Sequence, residues 1–131
     1  MTEEKVPSEL GYTKSHEWVK VEGNRATVGI TDHAQAQLTD IVFVDLPAVG
    51  MAVPKGGSVL VLESVKTVAD VYAPGNGTVA EANSELKAHP ELVNHDPYGK
   101  GWLYRITLAA PIPEGELMTA EQYRAFAASA K

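Results

Sequence analysis

The sequence predicts a mainly β protein, a sandwich or barrel with short helical additions, and three observations carry that expectation. Seven or so short runs rich in Val, Ile, Tyr, Phe and Trp are separated by Gly, Pro, Asn and Asp turns rather than by long helical stretches. Gly23-Asn24 stands between two such runs, the composition of a two-residue hairpin turn. A complete helix-start signature stands near the carboxyl end, where Thr119 and Gln122 form S/T-x-x-E/Q with Met118 and Tyr123 placed as a hydrophobic staple. The 131 residues fit one domain, spanning 1–131, with a short polar tail over 1–9 and a helix over 119–129. A chain of this length buries roughly two thirds of the surface it exposes when unfolded.

Taken in order, residues 10–21 read as one strand and residues 26–30 return antiparallel after the 22–25 turn. Thr31 or Asp32 caps a helical turn through 37, because either side-chain oxygen can accept from unpaired first-turn amides. Residues 41–46 are a β-branched and aromatic run closed by Pro47. A Gly/Pro-punctuated loop with a brief extended piece covers 48–57. Strands over 58–64 and 67–72 then meet at Val65-Lys66, without the Asn-Gly or Asp-Gly of a tight turn. Residues 73–77 are a turn, 78–81 a strand, and Asn83 or Ser84 caps a short helix to 89. Pro90 interrupts it, 91–94 adds a turn, 95–101 is loop, and 102–108 is the last strand before a Pro/Gly spacer. In the terminal helix Tyr123, Phe126 and Ala127 face inward.

A formal charge of −6 and a pI near 5.1 exclude the clustered Lys and Arg of a nucleic-acid binder and favour basic partner surfaces. With no cysteine, disulfides, thiolate nucleophiles and iron–sulfur clusters are excluded together. No apolar run approaches the roughly 18 residues of a membrane span. The first ten residues have three acidic side chains and no apolar core, so with Met1 as the native start a cytoplasmic protein is expected.

His16, His33, His89 and His95 match no zinc spacing. Ser64-Val65-Lys66 is S-x-K in a strand context, not the S-x-x-K that a helical turn brings together, and an exposed tip lacks the pocket that makes a lysine a base. The glycines of 50–57 form neither phosphate-binding pattern. Lys66 remains as a cation alone between Lys55 and Lys87, at the tip of a stiff hairpin. Considered by itself it reads as a solvated charge that keeps the tip from pairing with other chains; its position also suits a lysine that is chemically modified.

Glu63-Ser64-Val65-Lys66, followed by Asp70, Ala73-Pro74 and Gly77, closely resembles the lipoyl-lysine signature of the glycine cleavage system H-protein family. Further blocks resemble the same family in order and spacing: Tyr12-Thr13-Lys14-Ser15-His16-Glu17-Trp18, Gly29 through Gln35, Asp40 through Pro47, and Pro90-Glu91-Leu92 through Trp102. Departures are small: Thr67 where Ala is common, Gly75-Asn76 for a more apolar pair, and Gln37 where some members have His. Biotin carriers differ in having methionine on both sides of the lysine, and lipoyl domains of 2-oxo-acid dehydrogenases in having Asp before it.

The resemblance implies a lipoyl/biotinyl-type barrel-sandwich hybrid and a carrier that is not itself an enzyme. (R)-Lipoate joined to Lys66 by an amide would supply the reactivity, with Glu63, Ser64 and Val65 completing the attachment motif. Implied partners are a pyridoxal-phosphate glycine decarboxylase, a tetrahydrofolate-dependent aminomethyltransferase, dihydrolipoamide dehydrogenase and a lipoylating enzyme. Ser15, Glu17 and Asp70 match the family's groove for the loaded arm, where Glu17 is expected to hydrogen-bond the amino group. Glu63 and Asp70 have a second expected role in recognition by the lipoylating enzyme. A related carrier that passes lipoyl groups to other complexes has the same tip pattern and stays open at this level.

Overall fold

The computed structural model describes residues 5–129. The predicted β architecture is present as two antiparallel sheets. Strands β1 (Gly11–Tyr12), β2 (Glu17–Glu22), β3 (Arg25–Ile30), β9 (Tyr104–Leu108), β8 (Gly77–Ala82) and β5 (Ala52–Val53) form one sheet in the order β1-β2-β3-β9-β8-β5. The second is β4 (Ile41–Asp45), β6 (Ser58–Ser64) and β7 (Val68–Tyr72), in the order β4-β6-β7. Helices α1 (Asp32–Leu38), α2 (Leu92–His95) and α3 (Ala120–Ser129), with a 3₁₀ turn at Ser84–Lys87, complete the described elements.

Alternation along the strands builds the core between the sheets. Tyr104, Ile106 and Leu108 of β9 point inward and meet Leu60 and Leu62 of β6, Val28 of β3 and Val71 of β7 in one apolar cluster. A register shift between Ser58 and Leu60 sends Val59 inward as well. A second cluster joins Tyr12 and Trp18 to Ala120 and Tyr123 of α3, with the Tyr12 and Tyr123 rings stacked at 4.8 Å. Thr119 and Gln122 make the expected reciprocal capping bonds at 3.2 and 3.0 Å.

Two local expectations are corrected and one open alternative is resolved. The strand read over 10–21 is two strands: β1 folds back on β2, pairing Gly11 with Val19 and Tyr12 with Trp18. The break is made by Thr13, whose hydroxyl accepts the Glu17 N–H at 3.1 Å, and by His16, which takes φ 68 to complete the corner. The helix expected to 89 is instead a 3₁₀ turn over Ser84–Lys87, and the Asn83 side chain makes no cap bond; its amide donates to the Lys100 and Trp102 carbonyls, both at 2.8 Å. Of the two candidate caps for α1 it is Thr31 that accepts from Ala34 N–H, at 3.2 Å, while its hydroxyl also meets Tyr123 OH at 2.7 Å. Of the tail, residues 1–4 lie outside the described residues; Val6 is buried in the second cluster, and Tyr12 OH donates to the Pro7 carbonyl at 2.5 Å.

Gly77 occupies a place where the backbones of β8 and β9 leave no room for a side chain. A Cβ there would lie 2.2 Å from the Thr107 carbonyl oxygen and 2.8 Å from Ile106. Gly77→Ala is expected to lower unfolding stability by about 2–3 kcal/mol, read as a drop in the urea midpoint.

Candidate functional site

The hairpin tip owes its shape to Ser64. Its hydroxyl oxygen accepts the N–H of Lys66 at 3.1 Å and of Thr67 at 3.0 Å, and the Ser64 N–H donates to the Thr67 carbonyl at 2.8 Å. A side-chain oxygen thus closes a turn that glycine would otherwise have to make, and none of Val65, Lys66 and Thr67 has a positive φ. Thr67 is therefore part of the turn, and β7 starts one residue later than the sequence suggests. Val65 projects outward at 69% exposure, while its N–H donates to the Asp40 carbonyl at 3.0 Å. The Lys66 ammonium lies 3.5 Å from the Gln37 carbonyl, at the C-terminal end of α1, where helix carbonyls favour a cation.

Glu63 and Asp70 do not face Lys66 across the ladder. Register pairs Glu63 with Val68 and Asp70 with Val61, and the Asp70 carboxylate accepts the Ser58 hydroxyl at 2.8 Å. The cross-strand charge pairing that their spacing allows is absent from the ladder, because the three-residue turn offsets Lys66 from both. The two carboxylates instead sit on the exposed outer face of the second sheet, beside Phe43 and Val68.

Val68, Asp70 and Tyr72 share the outer face of β7, so this strand leads from the tip toward a cleft about 13 Å further along its four residue steps. The cleft, of about 500 Å³, is lined by Thr13, Ser15, Glu17, Tyr72 and Pro74 among others. Ser15 and Glu17 both line it, whereas Asp70 lies outside its wall, midway along β7.

Glu17 is the chemical centre of the cleft. It is 2% exposed, and its two oxygens are held separately: Oε1 accepts the Thr13 hydroxyl at 2.5 Å and Oε2 the Tyr72 N–H at 3.0 Å. Burial pushes its carboxyl above the usual glutamate range, opposed by the bonds from Thr13, Tyr72 and Ser15, which favour the anion. No Lys or Arg side chain forms an ion pair with it among the described residues. The result is a buried carboxylate that is hydrogen-bonded but not charge-matched, which a positively charged group brought into the cleft would relieve. Tyr104 clamps the same strand end by donating its hydroxyl to the Tyr72 carbonyl at 3.1 Å, and its own ionisation is pushed upward by burial and by Glu17. Among the described residues no cluster of three His, Asp or Glu could hold a metal ion.

A conserved-family profile described as glycine cleavage H-protein matches residues 10–130. The chain belongs to the glycine cleavage H-protein family. It is 51% identical over 118 residues to a glycine cleavage system H protein of Rubrobacter xylanophilus, covering 90% of this chain and 91% of the relative. It is 55% identical over 119 residues to a probable glycine cleavage system H protein of Thermoplasma volcanium, covering 91% and 94%. A crystal structure of a glycine cleavage system H protein from Mycobacterium marinum superimposes with a TM-score of 0.83 at 40% identity, over 92% of this chain and 97% of that one. The two-sheet arrangement is accordingly the barrel-sandwich expected of this family.

Sequence reasoning missed Thr13, Tyr72 and Tyr104 as parts of the site. Thr13 precedes Glu17 by four residues, a local spacing that a strand reading disguised; the bonds to Tyr72 join residues 55 and 32 apart and leave no local pattern. The raised Glu17 carboxyl has a measurable consequence. Its folded-state value exceeds the unfolded one, so the folded protein keeps this proton longer, and stability falls as pH climbs from the unfolded value through the folded one. Glu17→Gln, which retains an acceptor for Tyr72, is expected to abolish that fall: urea midpoints should diverge from wild type across this window and run parallel above it.

Proposed function

We propose that Lys66 is the lipoyl attachment residue of this family member and that the cleft at the far end of β7 shelters the loaded arm. The observation that carries the reading is the rigid tip: an exposed lysine whose backbone neighbours are fixed by Ser64 and by the Asp40 carbonyl. As a member of its family the chain is a carrier of the glycine cleavage system. The proposed partners are its glycine decarboxylase, aminomethyltransferase and dihydrolipoamide dehydrogenase, together with a lipoylating enzyme, and the carrier itself is proposed to be non-catalytic.

The residues present fit a lipoyl group. Lys66 Nζ is exposed for acylation, and acylation removes the charge that draws it to the Gln37 carbonyl, freeing the side chain to turn along β7. Attached lipoate supplies a redox-active dithiolane that a cysteine-free chain lacks. Val68 offers apolar contact on the path, Asp70 a carboxylate halfway, and Ser15 and Glu17 the end of it. With bonds from Thr13, Tyr72 and Ser15, the Glu17 carboxylate keeps a fourth lone pair to accept from a primary ammonium. An aminomethyl cargo held there with its nitrogen protonated would have no lone pair with which to break the carbon–sulfur bond and expel the arm's thiolate, the step that would lose the carbon to water as formaldehyde and the nitrogen as ammonia. Glu63 and Asp70, on the outer face, are proposed to be read by the lipoylating enzyme.

Intact mass of the protein made in a lipoate-competent host should show one lipoyl increment, lost in Lys66→Arg; an increment that persists in the variant, or is missing from wild type, defeats the attachment assignment. With the arm loaded, Glu17→Ala is expected to release formaldehyde about tenfold faster than wild type, in line with loss of one charge-assisted hydrogen bond. An unchanged rate would remove Glu17 from the sheltering role.

A further inference from the structure

The tip of the hairpin that carries Lys66 is tied to a distant corner of the chain. Val65 N–H donates to the Asp40 carbonyl at 3.0 Å, and the other end of that same peptide group, the Ile41 N–H, donates to Asn94 Oδ1 at 2.8 Å. A trans peptide is planar with its N–H and C=O opposed, so whatever orients one end aims the other. One rigid peptide unit is thus strung between α2 and the residue before Lys66.

Asn94 grips the residue before that peptide as well. Its Nδ2 donates to the Thr39 carbonyl at 2.8 Å and to Gln35 Oε1 at 3.1 Å. Thr39, the residue that ends α1, has φ 62 and ψ −152, a conformation that a β-branched side chain rarely adopts. Strain of this kind persists only where surrounding bonds over-determine it, and here Asn94 provides them on both sides of Asp40. The bend sends the chain out of α1 so that the 40–41 peptide faces the hairpin.

We infer that Asn94 is a positioning residue for the lipoyl site: it holds Thr39 in its strained bend and turns the 40–41 peptide so that the Asp40 carbonyl anchors Val65 and thereby Lys66. The inference rests on Lys66 being the modified residue. An enzyme that acylates Lys66 must take the tip in one conformation, and a tip already fixed spares the ordering cost at each encounter. Asn94 touches neither the lysine nor the arm; its contribution is to the presented geometry.

The test separates positioning from stability with two variants, Asn94→Ala and Asn94→Ala combined with Thr39→Gly, since glycine accepts a positive φ and removes the strain that Asn94 restrains. In both, amide hydrogen exchange of Val65 should quicken about tenfold while the amides of the β6–β7 ladder keep their protection. Thermal stability should fall in the single variant and return toward wild type in the double one. KM for lipoylation by a purified lipoate ligase should rise about fivefold in both with kcat little changed, the size expected for loss of one anchoring hydrogen bond. Val65 exchange at the wild-type rate, or rising only in step with the ladder amides, would overturn the inference, as would a double variant whose KM recovers along with its stability. Lys66→Arg measured beside them, by mass after ligation, reports on the attachment reading separately, because the Val65 exchange does not depend on which residue is acylated.

Discussion

The Glu17 carboxylate is the interaction on which the site's geometry depends. It rises from the six-stranded sheet and accepts the backbone N–H of Tyr72, the last residue of the edge strand of the three-stranded sheet. An open strand end normally leaves its N–H and C=O to water or to another chain. Here Glu17 takes the N–H and Tyr104 donates to the C=O, so the end of β7 is closed by side chains of the opposite sheet. The carboxylate that joins the sheets is also the one that lines the cleft. Its burial makes it avid for a cation, and its bonds to Thr13 and Tyr72 keep it aimed without one.

A carrier that serves several enzymes must combine a mobile arm with a base that does not move. The hairpin meets this demand at its two ends by different means. At the tip, the Ser64 hydroxyl replaces a glycine turn and the Asp40 carbonyl tethers Val65, so the lysine stands on ordered backbone. At the other end, the clamp on Tyr72 fixes one wall of the cleft proposed to receive the arm. Between them lie Val68 and Asp70, an exposed outer face left unfilled by the protein's own side chains.

Much of this was legible in the residues. The 22–25 turn and the capping box at Thr119 and Gln122 are local signals that formed as read; Thr31 took the cap offered to it or Asp32, and the strands flanking Lys66 formed with the second starting one residue later. The errors share one cause. Residues 10–21 looked like a single strand because Thr13 and His16 carry no turn signature; the corner exists because β1 gains a partner in β2 and its Tyr12 a stacking partner in α3. Asn83 looked like a helix cap because the competing carbonyls of Lys100 and Trp102 are 17 and 19 residues away. Asn94 read as part of a helical turn, with nothing to mark its bond to Ile41 across 53 residues.

What the sequence determined by itself was the β class, from period-two alternation and turn chemistry; Lys66 stood out as an isolated cation at a hairpin tip, and its proposed attachment role came from the family resemblance of the residues around it. Those properties arise within a few bonds of each residue. Only the tertiary structure decided that Glu17 is buried against Tyr72, that Asp70 stands outside the cleft and that Asn94 governs the peptide anchoring Val65. A hydrogen bond between residues fifty apart is chosen by where two sheets and two helices come to rest, and packing of the whole core sets that position.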